Sequence, residues 1–528
     1  MITALLGLFG EYVDWILAHG ELLTLLGIIA TPPVAVAAFW LAYGERVRSV
    51  WNHIGPDTTT VPETLHGIAH TVLSVPWVLV RRVQWSDVAG VRARQWGGLM
   101  EAGKWVVPMR SVEADRRAET HCPPELEQDK SLMIVGQTGS GKTNTFKLLL
   151  EQQTFDDDTP VVVFDYKDDY SEYFEGGEHD VVRVNPIEDK TNVTWNVFEE
   201  IEVEDDIKEI AHGITEGLDI DVDVDFWDDA GSLLLEAIMK SLFRKSMSET
   251  GCAPTNADLV KYLQSNEPEG IYKDLKKHTD LHMPAGSIDP EAKRLGLSVI
   301  ATMSVDVQQM FFGSFAEAGS FSIRDYVENP DGKILILDLP RKRQASAKPV
   351  YQFMVDWAAT HALADDQQSI FLLDEFASVP RLGMIDDLVN RGRSYNTQVM
   401  LGVQSLTQIE DTYGESKANS IMSGCTQQIL MGTNDPESAE YVKEKIGPDI
   451  EEQTVAGYND DGDVVGSQTQ QVEAYPVTRA DVDSFSIGEA VIKEPTGDWV
   501  HGEIREFESV RDTIQSAHEH AADGGSSG

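Results

Sequence analysis

The sequence predicts an α/β protein: a doubly wound, mostly parallel sheet, interrupted by an all-helical inserted domain and preceded by a transmembrane anchor. Three observations predict it. Short, continuous apolar runs closed by polar residues alternate with stretches of helical periodicity, the pattern of parallel strands buried on both faces. Over residues 200–315 that alternation gives way to helical spacing alone. Near the start, residues 22–43 contain no charge.

That uncharged stretch is 22 residues long, enough to cross a bilayer. Trp40 and Tyr43 stand where interfacial aromatics are expected, and Arg46 and Arg48 follow, which places the downstream chain in the cytoplasm. Pro32-Pro33 would kink the span, which membrane helices tolerate. Residues 2–18 are also apolar but carry Glu11 and Asp14. They form either a first span in a tight hairpin with the second, or an amphipathic helix at the surface. No basic segment marks a cleaved signal peptide. Residues 68–80 are apolar but too short to span, and end at Arg81-Arg82, which suits the interface. Residues 1–50 are thus expected to be the anchor, on the cell membrane, and 51–120 a membrane-proximal region.

Leu132–Val135, then Gly136-Gln137-Thr138-Gly139-Ser140-Gly141-Lys142-Thr143, then an apolar run from Thr145 to Leu150 read as strand, glycine-rich loop and helix. That context makes the loop a P-loop. Its glycines let backbone N–H groups curl around phosphate oxygens, and the helix adds its positive end. Lys142 is expected to reach the β- and γ-phosphates and the Thr143 hydroxyl to hold Mg²⁺. A turn that fits the spacing by chance is the alternative; the flanking strand and helix argue against it. The chain is expected to bind a nucleoside triphosphate, ATP.

Val161-Val162-Val163-Phe164 is a second buried-type strand, delivering Asp165 and Lys167 to its end. Ligands of α/β sheets bind at such ends, so both residues are candidates to face the nucleotide; a solvated strand end is the plainer alternative. In the helical region, Trp227, Ala230, Leu234, Ile238 and Leu242 share one face. Strand character returns at residues 333–338, 369–375, 398–404 and 428–432. The second of these brings Asp374 and Glu375 to a strand end, the form of a Walker B motif. Asp374 would hold Mg²⁺ and Glu375 would orient and deprotonate the attacking water. The motif is weak alone and strong beside a P-loop. About 230 residues separate Lys142 from Asp374, room for an inserted domain. Gln404 either touches the γ-phosphate or lytic water, or is a hydrogen-bonded core edge. Arg391 and Arg393 precede that strand, and one could act on a neighbouring subunit as an arginine finger. The NTPase domain is placed at 121–199 and 316–512, the helical insertion at 200–315, and a disordered tail at 513–528.

The formal net charge is −46, nearly all of it beyond residue 120. Such a load repels itself in dilute buffer, whereas at molar salt the Debye length shrinks to about 3 Å. The expectation is a protein of a high-salt, halophilic cytoplasm, whose contacts with DNA must be judged locally. Cys122, Cys252 and Cys425 are too scattered for a disulfide framework or zinc site and are expected to be buried.

Taken together, Leu373-Asp374-Glu375-Phe376, Gly392-Arg393-Ser394, Gly402-Val403-Gln404-Ser405-Leu406-Thr407-Gln408 and Tyr413-Gly414 resemble the TraG/TraD-type coupling ATPases of conjugation and type IV secretion. Asn185-Pro186, Trp195-Asn196 and Thr433-Asn434-Asp435 with Ala439 are similar to the same family. The resemblance implies a RecA/FtsK-like motor in a homo-hexameric ring at the inner face of the membrane. It implies nucleotide sites between subunits, with Arg393 acting in trans and Gln404 as sensor. DNA, single-stranded with a bound relaxase, and secretion-channel proteins are the implied partners. Two features depart from the pattern: an unusually tight N-terminal hairpin, and few basic candidates for a DNA channel, Arg341-Lys342-Arg343 and Lys348 being the densest group. The competing functions are an FtsK- or HerA-like duplex translocase for segregation or packaging, and a receptor that docks substrates at a secretion channel.

Overall fold

Apolar residues at every position of a strand require cover on both faces, and the sheet of this protein shows that requirement met. The computed structural model describes residues 100, 104–111, 124–153, 156–175, 180–216, 226–340, 344–364, 368–379, 381–458, 464–475, 477–493 and 499–524. The expected spans at 2–18 and 22–43 lie outside them. Among the described residues no helix is long and apolar enough to cross a membrane.

In chain order the strands are β1 (Lys104–Val106), β2 (Met109–Ser111), β3 (Glu125–Glu127), β4 (Leu132–Val135), β5 (Val161–Asp165), β6 (Val181–Val184) and β7 (Ile334–Asp338). There follow β8 (Ser369–Leu373), β9 (Thr397–Val403), β10 (Gln427–Met431), β11 (Asp449–Tyr458), β12 (Val464–Ala474), β13 (Glu489–Lys493) and β14 (Trp499–Ile504). Ten of them form one sheet in the order β2-β14-β13-β10-β4-β9-β8-β5-β7-β6. Every neighbouring pair from β10 to β6 is parallel. The far edge is antiparallel: β13 on β10, then β14, then β2. Along β4, Met133 and Val135 join one core while Leu132 and Ile134 join another. In β5, Val162 and Phe164 part from Val161 and Val163 in the same way.

Helix α1 (Lys142–Leu150) continues directly from the glycine-rich loop. Beyond β6, residues 197–316 hold helices and turns and, among those described, no strand. Here α2 (Asp206–Glu216), α3 (Phe226–Glu249) and α4 (Lys293–Met310) pack together. Leu234 and Ile238 of the expected apolar face of α3 are buried, against Ile207, Ile210 and Ile214 of α2 in one core. This helical body shares its core with the sheet domain through α5 (Gln344–Ala362), and at the junction Trp195 bridges Phe321 and the Asn196 N–H donates to the Phe321 carbonyl at 2.9 Å. Glu200 ties this junction. Its buried carboxylate accepts from the indoles of Trp195 (2.8 Å) and Trp357 (3.0 Å), from Ser322 Oγ (2.9 Å), and from the N–H groups of Ile323 (2.7 Å) and Arg324 (2.9 Å). A buried carboxylate is tolerable when its lone pairs are satisfied this fully. Trp357 belongs to α5 (Gln344–Ala362), which carries the chain from β7 to β8.

The disordered tail expected at 513–528 is corrected: α6 (Phe507–Gly524) occupies most of it. Phe507, Val510, Ile514 and Ala517, at helical spacing, are buried in the core beside α1. The His518 ring bonds the Glu151 carbonyl at 2.7 Å. The glycine-serine end hides an amphipathic repeat in a strongly acidic stretch. Of the cysteines, Cys425 is buried as expected, and burial pushes its thiol up to about 12. Cys252 is exposed instead, in the surface turn that follows α3.

Candidate nucleotide site

Strands β4, β9, β8 and β5 lie side by side and parallel, so their C-terminal ends form one ledge. The glycine-rich loop occupies it at β4. Gly139 and Gly141 have φ of 82° and 113°, where a Cβ would be strained. Gly141 begins α1 with no side-chain cap, which leaves the first-turn N–H groups facing the ledge. The Lys142 ammonium folds over the loop, donating to the carbonyls of Gly136 at 2.6 Å and Gln137 at 3.3 Å. Burial lowers its pKa below that of an ordinary lysine, against the fields of Glu375 and Asp374.

At the end of β8, Asp374 Oδ2 accepts from Thr143 Oγ1 at 2.6 Å and from the Tyr170 hydroxyl at 2.7 Å. Burial raises the Asp374 carboxyl to about 6, with those two bonds and the nearby lysines holding it down. The next residue, Glu375, is 4% exposed, and its Oε2 lies 3.1 Å from Lys167 Nζ. Burial pulls Lys167 down, but Glu375 and then Asp374 outweigh it and hold the ammonium above its ordinary value. Lys142, Lys167, Asp374 and Glu375 thus form one cluster of two cations and two carboxylates.

Asp165 needs correction. Its buried carboxylate does not face the crevice but accepts the N–H groups of Lys167 (3.2 Å), Asp169 (3.1 Å), Tyr170 (3.0 Å) and Ser171 (3.3 Å). It shapes the loop that carries Lys167 and Tyr170. Gln404 follows Val403, whose carbonyl accepts the Gly136 N–H at 2.9 Å, so it stands beside the first residue of the glycine-rich loop. Asp435, which accepts from Ser405 at 2.9 Å and caps the helix beginning at Pro436, fixes that corner. Arg391 and Arg393 are not brought to this ledge. They flank Gly392 before β9, at the opposite end of a seven-residue strand, about 20 Å away. Arg391 pairs with Asp387 at 3.1 Å. Of the basic cluster, Lys348 is exposed on α5, and Arg341-Lys342-Arg343 lie outside the described residues.

Three supporting residues were missed in the sequence. Tyr170 carries no signal there. Gly488, whose N–H donates to the Ser140 carbonyl at 2.8 Å, carries none either. Gly402 does: a lone glycine inside a buried strand marks a close approach. A Cβ there would meet Asp374 Oδ1 at 2.7 Å and its Cα at 3.0 Å. Gly402→Ala is therefore expected to displace Asp374 from Thr143 and to lower stability by about 1–3 kcal/mol. Urea denaturation together with Mg²⁺-nucleotide titration checks this, and wild-type values in both would refute it.

Among the described residues no group of three or more His, Cys, Asp or Glu converges as a metal cage. The Thr143–Asp374 pair nonetheless suits Mg²⁺, which takes one or two protein oxygens and completes its shell with water and phosphate.

A profile of the family described as "Type IV secretion-system coupling protein DNA-binding domain" matches residues 118–501. Coupling protein TraD of Escherichia coli (strain K12) is 22% identical over 330 residues, 60% of this chain and 44% of TraD. Protein VirD4 of Rhizobium rhizogenes is 32% identical over 78 residues, 15% of this chain and 12% of VirD4. The chain thus matches less than half the length of either relative. Among solved structures, the unbound monoclinic form of the bacterial conjugative coupling protein TrwBdeltaN70 is similar with a TM-score of 0.59 at 20% identity, over 76% of this chain and 96% of that one. The plasmid coupling protein TrwB in complex with ADP and Mg²⁺ is similar with a TM-score of 0.57 at 20% identity, over 76% and 93%. These likenesses show a shared fold: a mostly parallel mixed sheet with helices on both faces and a phosphate-binding loop. With its family profile spanning well over half its length, the chain belongs to the type IV secretion-system coupling proteins.

Proposed function

We propose that this protein is a membrane-anchored ATPase that couples ATP hydrolysis to moving DNA, or a DNA–protein conjugate, into a conjugation or type IV secretion channel. The observation that carries the reading is the meeting of Thr143 with Asp374 at 2.6 Å, with Glu375 next to it, on the ledge that holds the glycine-rich loop. The N–H groups of residues 139–143 receive the phosphates, and Lys142 exchanges its two loop carbonyls for phosphate oxygens. Mg²⁺, held by Thr143 and Asp374, would neutralise charge on the β- and γ-phosphates. Glu375 takes a proton from the attacking water as the bond to the γ-phosphoryl group breaks, leaving ADP and phosphate. Gln404, beside Gly136, senses the γ-phosphate. Arg393, remote from its own chain's site, acts on the neighbouring site of a homo-hexameric ring. Residues 22–43 tether the ring to the membrane, with the motor on the cytoplasmic side. The helical insertion meets cargo. The charge of −46 fits a salt-rich cytoplasm.

The test is ATP hydrolysis at low and at molar KCl, with single-stranded, double-stranded or no DNA. Turnover is expected to be highest in molar KCl with single-stranded DNA and absent in Lys142→Ala. Preference for duplex would favour a segregation or packaging translocase, indifference to DNA a docking receptor, and no hydrolysis in any condition would sink the proposal.

A further inference from the structure

We infer that Lys167 is a positioning residue that holds Glu375 back from water, and that the helical insertion releases it through a chain of polar contacts joined by the backbone from Asp168 to Lys167. The inference rests on the ATPase reading above and adds a control to it.

A carboxylate that is to take a proton from water needs an oxygen lone pair turned to that water. In this structure Glu375 Oε2 is instead spent on the Lys167 ammonium at 3.1 Å, a charge-assisted bond that also fixes the side chain's direction. Glu375 is buried, whereas the Lys167 side chain is 34% exposed, so the lysine is the partner with room to move. Its loop is held from both sides. Asp165 gathers the loop's N–H groups from beneath. Asp168, the next residue, has φ 65°, and its carboxylate accepts from Arg183 at 2.5 Å and Lys190 at 3.1 Å.

Arg183 leads away from the site. Its guanidinium also donates to Asp338 at 2.6 Å, and the same Asp338 oxygen accepts from Asn185 Nδ2 at 2.7 Å. The Asn185 carbonyl then accepts from Ser314 Oγ at 2.7 Å, and the Pro186 carbonyl from the Ser314 N–H at 2.9 Å. Ser314 sits in the turn Gly313–Ala316, where the helical insertion returns toward the sheet. Gly313 backs onto the Pro186 carbonyl so closely that a Cβ would lie 2.0 Å from the oxygen. Each step from Glu375 to the insertion is thus a hydrogen bond, an ion pair or a pair of chain neighbours. Charged, hydrogen-bonded networks of this kind shift between discrete arrangements rather than deforming smoothly, because each half-made state leaves a polar group unpaired. Movement of the insertion therefore has a route to Lys167 and through it to the base.

The experiment measures kcat and KM for ATP of the full chain in molar KCl, with and without single-stranded DNA. It compares wild type, Lys167→Met, Lys167→Arg, Ser314→Ala and Lys167→Met with Ser314→Ala. Lys167→Met is expected to raise DNA-free kcat about tenfold and to flatten stimulation by DNA, with KM within about twofold. Lys167→Arg, which keeps a cation on Glu375, is expected to retain the wild-type ratio. Ser314→Ala is expected to weaken stimulation in the wild type and to change nothing further in Lys167→Met, the mark of one route. A higher KM at unchanged kcat would make Lys167 a phosphate contact and overturn the inference. So would equal loss of kcat with and without DNA, and additive effects of the two substitutions would disconnect the insertion. If wild type itself hydrolyses nothing, the ATPase reading fails; with wild type active and DNA-stimulated, these outcomes strike the Lys167 control alone.

Discussion

Glu375→Gln is expected to cut kcat by about 10²–10⁴-fold while leaving nucleotide affinity within about threefold. The substitution keeps the size of the side chain and removes its basicity. Its amide oxygen still accepts from Lys167, so the loop carrying Lys167 and Tyr170 has no cause to move. The groups proposed to grip the nucleotide, the N–H groups of the glycine-rich loop, Lys142 and Thr143, are untouched. Binding and turnover therefore separate, which does not happen in Lys142→Ala, where both fall. Titration with a fluorescent ATP analogue alongside a phosphate-release assay reads the two quantities. A Glu375→Gln protein within threefold of wild-type kcat would remove the general base from the mechanism.

Much of this site was legible because its parts are contiguous in the chain. Residues 132–143 contain strand, loop and ligand groups in one run, and Ser369–Leu373 leads directly to Asp374 and Glu375. Four of the parallel strands were equally plain, since a strand buried on both faces reads as an unbroken apolar word. What escaped depends on contacts between residues far apart. Tyr170 reaches Asp374 and Gly488 reaches Ser140 only after folding, and neither has a local pattern that announces it. Asp165 misled for the opposite reason. Its position at a strand end is what a ligand-facing acid would have, yet the tight loop after it supplies four N–H donors that claim the carboxylate first. Strands toward the two ends of the sheet, β6 on the parallel side and β14 on the antiparallel side, were hidden too. β6 and β14 are only partly buried, so their apolar residues are diluted among polar ones, and α6 lies in a stretch whose acidity masks its buried face.

Arg393→Ala is expected to lower kcat by about 10³–10⁵-fold, and to regain activity when mixed with the equally inactive Glu375→Gln protein. The geometry makes this a statement about subunits. Arg393 belongs to the turn that precedes β9, whereas the glycine-rich loop, Asp374 and Glu375 lie beyond the opposite ends of β4, β8 and β9. No side chain spans the length of a seven-residue strand, so an arginine there would reach a phosphate only on the ledge of a neighbouring molecule. In a mixed form of the proposed ring, an Arg393→Ala subunit would supply an intact Glu375 and a Glu375→Gln subunit an intact arginine. Wherever the two adjoin in the right order, one complete site forms from two defective chains. A purely structural defect in Arg393→Ala would not be cured by mixing, because the damaged subunit would carry its damage into every ring it joined. Arg391→Ala is the matched control: Arg391 pairs with Asp387 on its own helix and is expected to leave turnover within about threefold of wild type. Phosphate release measured across mixing ratios, with assembly followed by light scattering, decides the matter. Activity that peaks at intermediate ratios places the arginine in trans, and mixtures as inactive as their parents would leave the site within one chain.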